Sequence, residues 1–350
     1  MRHPYRAAPD RAFWERAVAR DFSPGAVVPS GPPMIRGGER VASAGSCFAA
    51  NIVPYLEAAG IAYVRTEQPH PALAATHVEA LSYHKFSAAY GNVYTPRHLL
   101  QLVQRALGHF RPQEDRWYAR DAVVDAFRPG LAFPASSDRE FDLLTAQHLD
   151  RTIEAFRQAD VFVFTLGLTE AWVSALDGAV FPACPGTIAG EYDPARHVFR
   201  NFTVAETRAD LTAALALIRG INPDIRFILT VSPVPLVATA TDSHVLAATI
   251  YSKSALRVVA EEVTLALPWA RYFPAYEIVT APQAPADFFG PDRREVSRQA
   301  IDAVMGAFIG ACEGTPAPAA PVAPPEPAPA ENAVAALIAR IECEEAAAAT

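Results

Sequence analysis

The chain has 350 residues, of which 51% are hydrophobic and 19% are charged, and this composition excludes a wholly disordered protein. Thirty Lys and Arg residues against 38 Asp and Glu residues give a formal net charge of -8. That balance lacks the basic surface with which nucleic-acid-binding proteins neutralise phosphates, so DNA and RNA are not expected as partners.

Cysteine usage and apolar runs indicate the compartment. The four cysteines lie far apart, with no C-x-x-C pair, so neither a metal site nor a disulfide framework is expected. The first residues are charged and aromatic, which is not typical of a signal peptide. The longest apolar runs are strand-sized and far below the roughly 20 residues of a membrane span. We therefore expect a cytoplasmic protein without a membrane span.

Short apolar runs alternate with amphipathic stretches from about residue 40, a pattern typical of parallel strands joined by crossover helices. In chain order, strands are predicted over 40–44, 61–64, 161–166, 225–231 and 269–273. Helices are predicted over 48–59, 95–108, 137–159, 203–220, 243–267 and 292–312. The predicted fold is a single α/β domain over 35–312, a three-layer α/β/α sandwich with a doubly wound, mainly parallel sheet of about five strands.

The segments outside this domain differ from it in composition. Residues 1–34 are assigned to an N-terminal extension. Residues 313–331 are almost entirely Ala, Pro and Glu, which predicts a disordered, partly polyproline linker. Residues 332–350 carry apolar side chains at helical spacing, so we expect a short C-terminal helix that is marginal alone and available to a protein partner.

Four polar segments directly follow predicted strands, at 45–47, 167–170, 232–235 and 272–277. Ligands of open α/β sheets bind beyond the carboxyl ends of the strands, so these segments are expected to share one rim. The sharpest candidate among them is Cys47, at a strand-to-helix turn where a helix N-terminus favours a thiolate and aims N–H groups at an oxyanion. The alternative is that Cys47 is a buried small hydrophobic residue.

The pentapeptide Gly45-Ser46-Cys47-Phe48-Ala49 resembles the motif of the GSCFA family. Further segments resemble the same family: YGNVYT at 90–95, TLGLTEAW at 165–172, CPGT at 184–187, SPVP at 232–235 and YSKSALR at 251–257. This family is related to the SGNH hydrolases, flavodoxin-like esterases and acyltransferases, many of which act on carbohydrate esters. The resemblance implies the same α/β/α fold and an acyl-ester chemistry.

The SGNH motifs imply site residues one by one. Cys47 takes the place of the nucleophile, which implies a thioester intermediate. The resemblance also implies residues that line the oxyanion hole or contact substrate: Ser46, Gly91, Asn92, Gly167 and Thr169. Thr169 stands where the family pattern has an Asn, so its place in the oxyanion hole is a departure from that pattern.

The general base of the SGNH pattern is the histidine of a D-x-x-H block, and the corresponding stretch from Asp292 to Ser297 has no histidine. His244, which follows the fourth strand's loop, is the leading replacement, with a solvent-facing histidine as the alternative. His84 is a weaker candidate. Glu170 is predicted to orient His244 or bind a substrate hydroxyl, or else to have a structural role.

Lys253 and Arg257 lie four residues apart on one predicted helix and are candidates for binding a sugar carboxylate or a phosphate, with solvated surface charges as the alternative. The hypothesis from the sequence is a cysteine-dependent esterase or O-acyltransferase acting on an oxygen ester of a carbohydrate or glycan precursor. No cofactor is expected, and an acyl-CoA donor is implied only for a transferase. The alternative is a non-catalytic glycan-binding or assembly module on the same fold.

Overall fold

The protein is described by a computed structural model that covers residues 3–20, 22–69, 83, 85–119, 122–131 and 134–313. His84, nearly all of the predicted linker and the predicted C-terminal helix lie outside the described residues, as does the side chain of Cys47. The proposed domain boundaries stay predictions.

A parallel sheet of five strands forms the centre of the domain, as predicted. Its strands are β1 (Arg40–Gly45), β2 (Ala62–Tyr63), β5 (Val161–Leu166), β9 (Arg226–Val231) and β10 (Ala270–Tyr272). The spatial order is β10-β9-β5-β1-β2. Counted along the chain, the five parallel strands have the order 2-1-3-4-5 of flavodoxin-like folds, whose switch point lies between the first and third strands.

Helices cover both faces of this sheet. They are α1 (Pro24–Val27), α2 (Cys47–Ala50), α3 (Ile52–Ala58), α4 (Pro96–Ala106), α5 (Asp138–Gln158), α6 (Val204–Ile221), α7 (Val245–Ala266), α8 (Ala275–Thr280) and α9 (Arg298–Gly310). Alternate residues of β5 serve the two faces: Phe162 and Phe164 pack with α4 to α7, whereas Val161 and Val163 pack with α3, α8 and α9. The strand is therefore buried on both sides, which explains its uninterrupted apolar sequence.

The predicted helix over 48–59 is divided into α2 and α3 at Asn51. Pro54 explains the division, because it has no N–H to donate to the carbonyl of Ala50 and its ring crowds that carbonyl. The predicted helix over 292–312 begins only at Arg298, since Ser297 caps it through a hydrogen bond from Ala300 N. Residues 289–296 form a turn closed by a bridge between Phe289 and Val296.

Two small antiparallel sheets were not predicted. One pairs β3 (Arg116–Ala119) with β4 (Ala122–Asp125), and the other has the order β7-β6-β8, with β6 at Glu170–Ser174, β7 at Val180–Phe181 and β8 at His197–Asn201. Only three residues separate the end of β5 from the start of β6, so the second sheet begins at the carboxyl end of the central sheet.

The N-terminal segment has three short helical turns before α1, at Pro4–Ala7, Asp10–Ala12 and Glu15–Arg20. A further turn lies at Ala286–Phe288. Within the described residues, none of the helices is both long and apolar enough to cross a bilayer.

Candidate functional site

A small cavity of about 30 Å³ opens at the carboxyl ends of β1, β5 and β9. Its walls are made by Ser46, Tyr94, Gly167, Leu168, Ser232, Val234, Pro235, Leu236, Val237, Lys253 and Arg294. Three of the four segments predicted to share a rim meet here. The fourth, 272–277, does not contribute, because Tyr272 and Glu277 bond to each other and Glu277 also bonds to Arg257.

The turn after β1 is held tightly against its neighbours. A Cβ on Gly45 would lie 2.7 Å from the Cβ and the carbonyl oxygen of Thr165 and 2.9 Å from the Cβ of Ala49. Gly45 also has a φ of +151°, which other residues rarely adopt. Its carbonyl accepts a hydrogen bond of 2.8 Å from Val93 N, which brings the 90–94 segment to this turn. Only glycine therefore fits at position 45.

Ser46 brings a polar atom to the cavity wall. Its side chain is buried, and its Oγ has no hydrogen-bond partner among the described residues. An isolated buried hydroxyl is costly, so its persistence beside a cavity is consistent with a partner supplied by a ligand. Cys47 is the next residue and the first of α2.

Lys253 is the most deeply buried charged side chain at the cavity, with 1% of its surface exposed. Its Nζ donates a hydrogen bond of 2.7 Å to the carbonyl of Gly167. The N–H groups of Gly167 and Leu168 both donate to the carbonyl of Tyr94, at 2.9 and 3.0 Å. The Gly167 N–H is therefore engaged, and the residue contributes its carbonyl and its lack of a side chain rather than an oxyanion-hole donor.

Arg294 is a cavity residue that the sequence analysis did not identify. It belongs to the stretch where the SGNH pattern places its histidine, so the cavity receives a guanidinium from that loop. Among the described residues that line the cavity, none is a histidine. Lys253 and Arg294 thus bring two cationic residues to the wall of the cavity.

The other predicted oxyanion-hole residues lie outside the cavity wall. Asn92 is buried next to it, and its Nδ2 donates to the hydroxyl of Tyr94 at 3.0 Å. Gly91 adopts a φ of +66° in the same segment, beside the Gly45 turn. The Thr169 N–H donates to Ser252 Oγ at 3.0 Å and its hydroxyl donates to Asn201 Oδ1 at 2.8 Å, so both Thr169 donors already have acceptors within the fold.

His244 is placed away from the cavity. It is exposed and caps α7, with its Nδ1 accepting a hydrogen bond of 3.2 Å from Leu246 N. Its predicted contact with Glu170 is not found. His244 is therefore the solvent-facing histidine of the alternative prediction. The local sequence does not distinguish a helix-cap histidine from a catalytic one.

Glu170 is the first residue of β6 and lines a second, larger cavity next to the first. Its Oε1 accepts a hydrogen bond of 2.9 Å from Thr239 Oγ1. Burial raises the pKa of the Glu170 carboxyl above its usual value, and the Thr239 hydroxyl partly offsets this. Glu170 is therefore a buried carboxyl that lines the second cavity and not the small one.

Arg257 and Asp292 have structural partners. Arg257 forms ion pairs with Glu277 at 2.7 Å and Glu261 at 2.8 Å, so it does not join Lys253 in binding an anion. Asp292 is exposed and accepts hydrogen bonds from the N–H groups of Arg294 and Glu295, which hold the pKa of its carboxyl below the usual range. The role of Asp292 is to close the turn that carries Arg294.

Within the part of the chain that the structure describes, no three His, Cys, Asp or Glu residues are grouped as metal ligands. Of the cysteine side chains described, Cys184 is partly buried and Cys312 is buried, and neither is in a disulfide.

Comparisons with known proteins add the following. A search of curated proteins gives no match. Among solved structures, the chain is similar to a protein from Parabacteroides merdae classed as a GDSL-like lipase, with 11% identity, a TM-score of 0.34, and coverage of 80% of this chain and 98% of that chain. The model of the GSCFA family matches residues 40–308. This match spans most of the sequence and includes the turn at Cys47, so the chain belongs to the GSCFA family.

Proposed function

We propose that this chain is a cysteine-dependent esterase or O-acyltransferase that acts on an oxygen ester. The observation that supports this most is the cavity beside the Gly45–Cys47 turn, which holds two cationic side chains, Lys253 and Arg294, and the buried hydroxyl of Ser46. Acyl transfer uses a nucleophile together with groups that stabilise the developing oxyanion, and cationic side chains can serve as such groups.

In this proposal the Cys47 thiolate attacks the acyl carbon, a C–S bond forms, and the carbonyl electron pair moves to oxygen. Lys253 and Arg294 favour both the thiolate and the oxyanion by their charge. When the oxyanion collapses, the C–O bond breaks, and the alkoxide takes a proton from solvent and leaves as the alcohol. Water or a second alcohol then attacks the thioester, gives its proton to solvent and releases the thiolate, so hydrolysis and transfer differ only in this acceptor.

A carbohydrate or glycan precursor as the alcohol is implied by the family resemblance, and an acyl-CoA donor is implied only for a transferase. A cytoplasmic location was inferred from cysteine usage and the N-terminal sequence. All three stay predictions. The cavity of about 30 Å³ has room for little more than one water molecule, which suits a carbonyl oxygen rather than a whole substrate.

Replacing Cys47 by Ala is expected to lower kcat/KM for p-nitrophenyl acetate at least ~1,000-fold, because removing a nucleophile removes the covalent route. Ser46→Ala is expected to lose far less. Cys312→Ala serves as the matched control, since that thiol is buried in the core and lines neither of the two cavities beside the turn. Full turnover in Cys47→Ala, or a larger loss in Ser46→Ala, would contradict the assignment of the nucleophile.

One observation favours the binding or assembly module as a second candidate function: no histidine lines the described cavity wall. Iodoacetamide labelling at neutral pH, mapped peptide by peptide, separates the two. A thiolate at Cys47 is expected to label much faster than Cys184. Equal, slow labelling of both cysteines would favour the module.

His244→Ala is expected to leave ester turnover unchanged and to cost about 1 kcal/mol of stability or less, because its side chain caps α7. Thermal unfolding and p-nitrophenyl acetate kinetics on the same preparation check both parts. A loss of turnover comparable with that of Cys47→Ala would restore His244 as the general base.

A further inference from the structure

The second cavity adjoins the first and is large enough for a chemical group. It has a volume of about 210 Å³ and shares three lining residues with the small cavity, Leu168, Leu236 and Val237. At about 30 Å³ per molecule, it has room for roughly seven waters, which is enough for an ammonium group and the short chain that carries it.

The polar feature of this cavity is an incompletely bonded carboxyl. Glu170 is 7% exposed, and its Oε1 accepts a hydrogen bond from Thr239. Among the described residues, no donor bonds to its Oε2 and no cation pairs with it. Oε2 is not fully buried, so either water or a donor of a ligand can reach it from the cavity.

The charged residues described around Glu170 do not include a cation that lines this cavity, so a cationic group of a ligand can pair with Glu170. Cys184 is the other titratable residue that lines the cavity, and the described lining holds no Lys, Arg or His. On the adjacent strand β8, Arg200 is paired with Glu206, and Asn201 accepts the hydroxyl of Thr169. The cations Lys253 and Arg294 line the small cavity instead.

Aromatic rings complete the wall. Trp172 and Phe199 both line the cavity, with ring centroids 5.7 Å apart and planes inclined at 64°. Aromatic faces attract ammonium groups, and this attraction increases where water is excluded. A carboxyl with an open oxygen beside two aromatic rings is therefore complementary to a protonated amine.

We propose that the cavity lined by Glu170, Trp172 and Phe199 binds a primary ammonium group of the ligand. That this ligand is the ester substrate, with the amine on its alcohol or acyl part, rests on the proposed function. The carbonyl oxygen of the ester, which becomes an oxyanion during the reaction, then lies against Lys253 and Arg294, and the ammonium group lies against Glu170.

The test is a ligand-observed NMR titration of the full-length protein with n-butylamine and 1-butanol, two probes of similar shape that both donate a hydrogen bond. We expect butylammonium to bind at least ~10-fold more tightly, because a hydrogen bond between charged groups is added. In Glu170→Gln, which keeps the shape of the side chain, this preference is expected to disappear. Equal binding of the two probes by the unmodified protein would indicate a hydroxyl site and overturn the proposal, as would a preference that survives in Glu170→Gln.

A pH series on the unmodified protein needs no variant. As pH falls through the raised pKa of Glu170, the carboxyl becomes neutral while the amine stays charged, so the preference for butylammonium is expected to shrink. A preference that does not change with pH would contradict the role of Glu170.

The titration is repeated in Cys47→Ala: failure of ester turnover leaves the binding result intact, and failure of amine binding leaves the assignment of Cys47 intact.

Discussion

Replacing Lys253 by Met is expected to lower kcat/KM for p-nitrophenyl acetate by at least ~100-fold, because it removes a fixed positive charge from the place where the oxyanion forms. Lys253 is 1% exposed, and its Nζ bonds to the carbonyl of Gly167. Losing that bond costs about 1–3 kcal/mol, and removing a buried charge offsets part of it. The variant is therefore expected to fold, with a modest change in thermal unfolding.

Arg257→Met is the matched control for this variant. Arg257 lies one turn further along α7, and its charge is paired with Glu261 and Glu277. Its replacement is expected to change stability slightly and turnover little. The pH dependence of Cys47 alkylation separates an electrostatic role of Lys253 from a structural one. Loss of its charge is expected to shift the onset of labelling to higher pH, whereas loss of a structural contact alone is not. Full turnover in Lys253→Met, or an equal loss in Arg257→Met, would contradict the proposed role.

Replacing Gly45 by Ala is expected to destabilise the fold by about 3 kcal/mol or more, through overlap and backbone strain together. A Cβ there would come within 2.7 Å of Thr165, closer than real Cβ contacts, so β1 and β5 would have to separate at the site. At roughly 2–4 °C per kcal/mol, the midpoint of thermal unfolding is expected to fall by ~6–12 °C. Ester turnover is expected to be lost with it, because the turn that carries Cys47 moves.

Gly220→Ala provides the control for this change. Gly220 lies in α6, and nothing is within 4 Å of the position that its Cβ would take. That substitution is expected to leave stability unchanged or raise it by about 0.5–1 kcal/mol, because alanine favours the helix. An unchanged melting temperature in Gly45→Ala would show that the turn has more freedom than its contacts indicate.

The sequence was most informative where one local property decides the structure. The run Val161–Leu166 is predicted with its observed bounds, because a strand buried on both faces needs six consecutive apolar or small residues. The antiparallel strands β6, β7 and β8 were missed because they have two to five residues, too few for an alternating pattern to stand out. Pro54 indicates the break at Asn51, but the helical spacing of the apolar residues over 48–59 favours a single helix.

At the site, the motifs led to Ser46, Gly167 and Lys253, which the structure brings to one cavity. They did not lead to Arg294, because only the turn over 289–296 places it beside residues some 250 positions earlier in the chain. The sequence favours His244 because any histidine in this segment is a candidate general base. Only its position relative to the cavity, which the structure supplies, distinguishes a helix cap from a base. Arg257 shares a helix with Lys253; its partner Glu261 is four residues further along that helix, whereas its partner Glu277 lies close only after folding.

Leu168, Leu236 and Val237 line both cavities, so these three side chains form the partition between them. Leu168 and Leu236 lie in the loops after β5 and β9 and pack with Tyr94 and Ala248 in a small cluster of buried side chains, so the partition between the two cavities is packed. A ligand that uses both cavities, as proposed, passes this partition, so the length of chain between its ester and its ammonium group has to match. Shortening Val237 or Leu236 is then expected to change which chain lengths bind before it changes the chemistry proposed for Cys47.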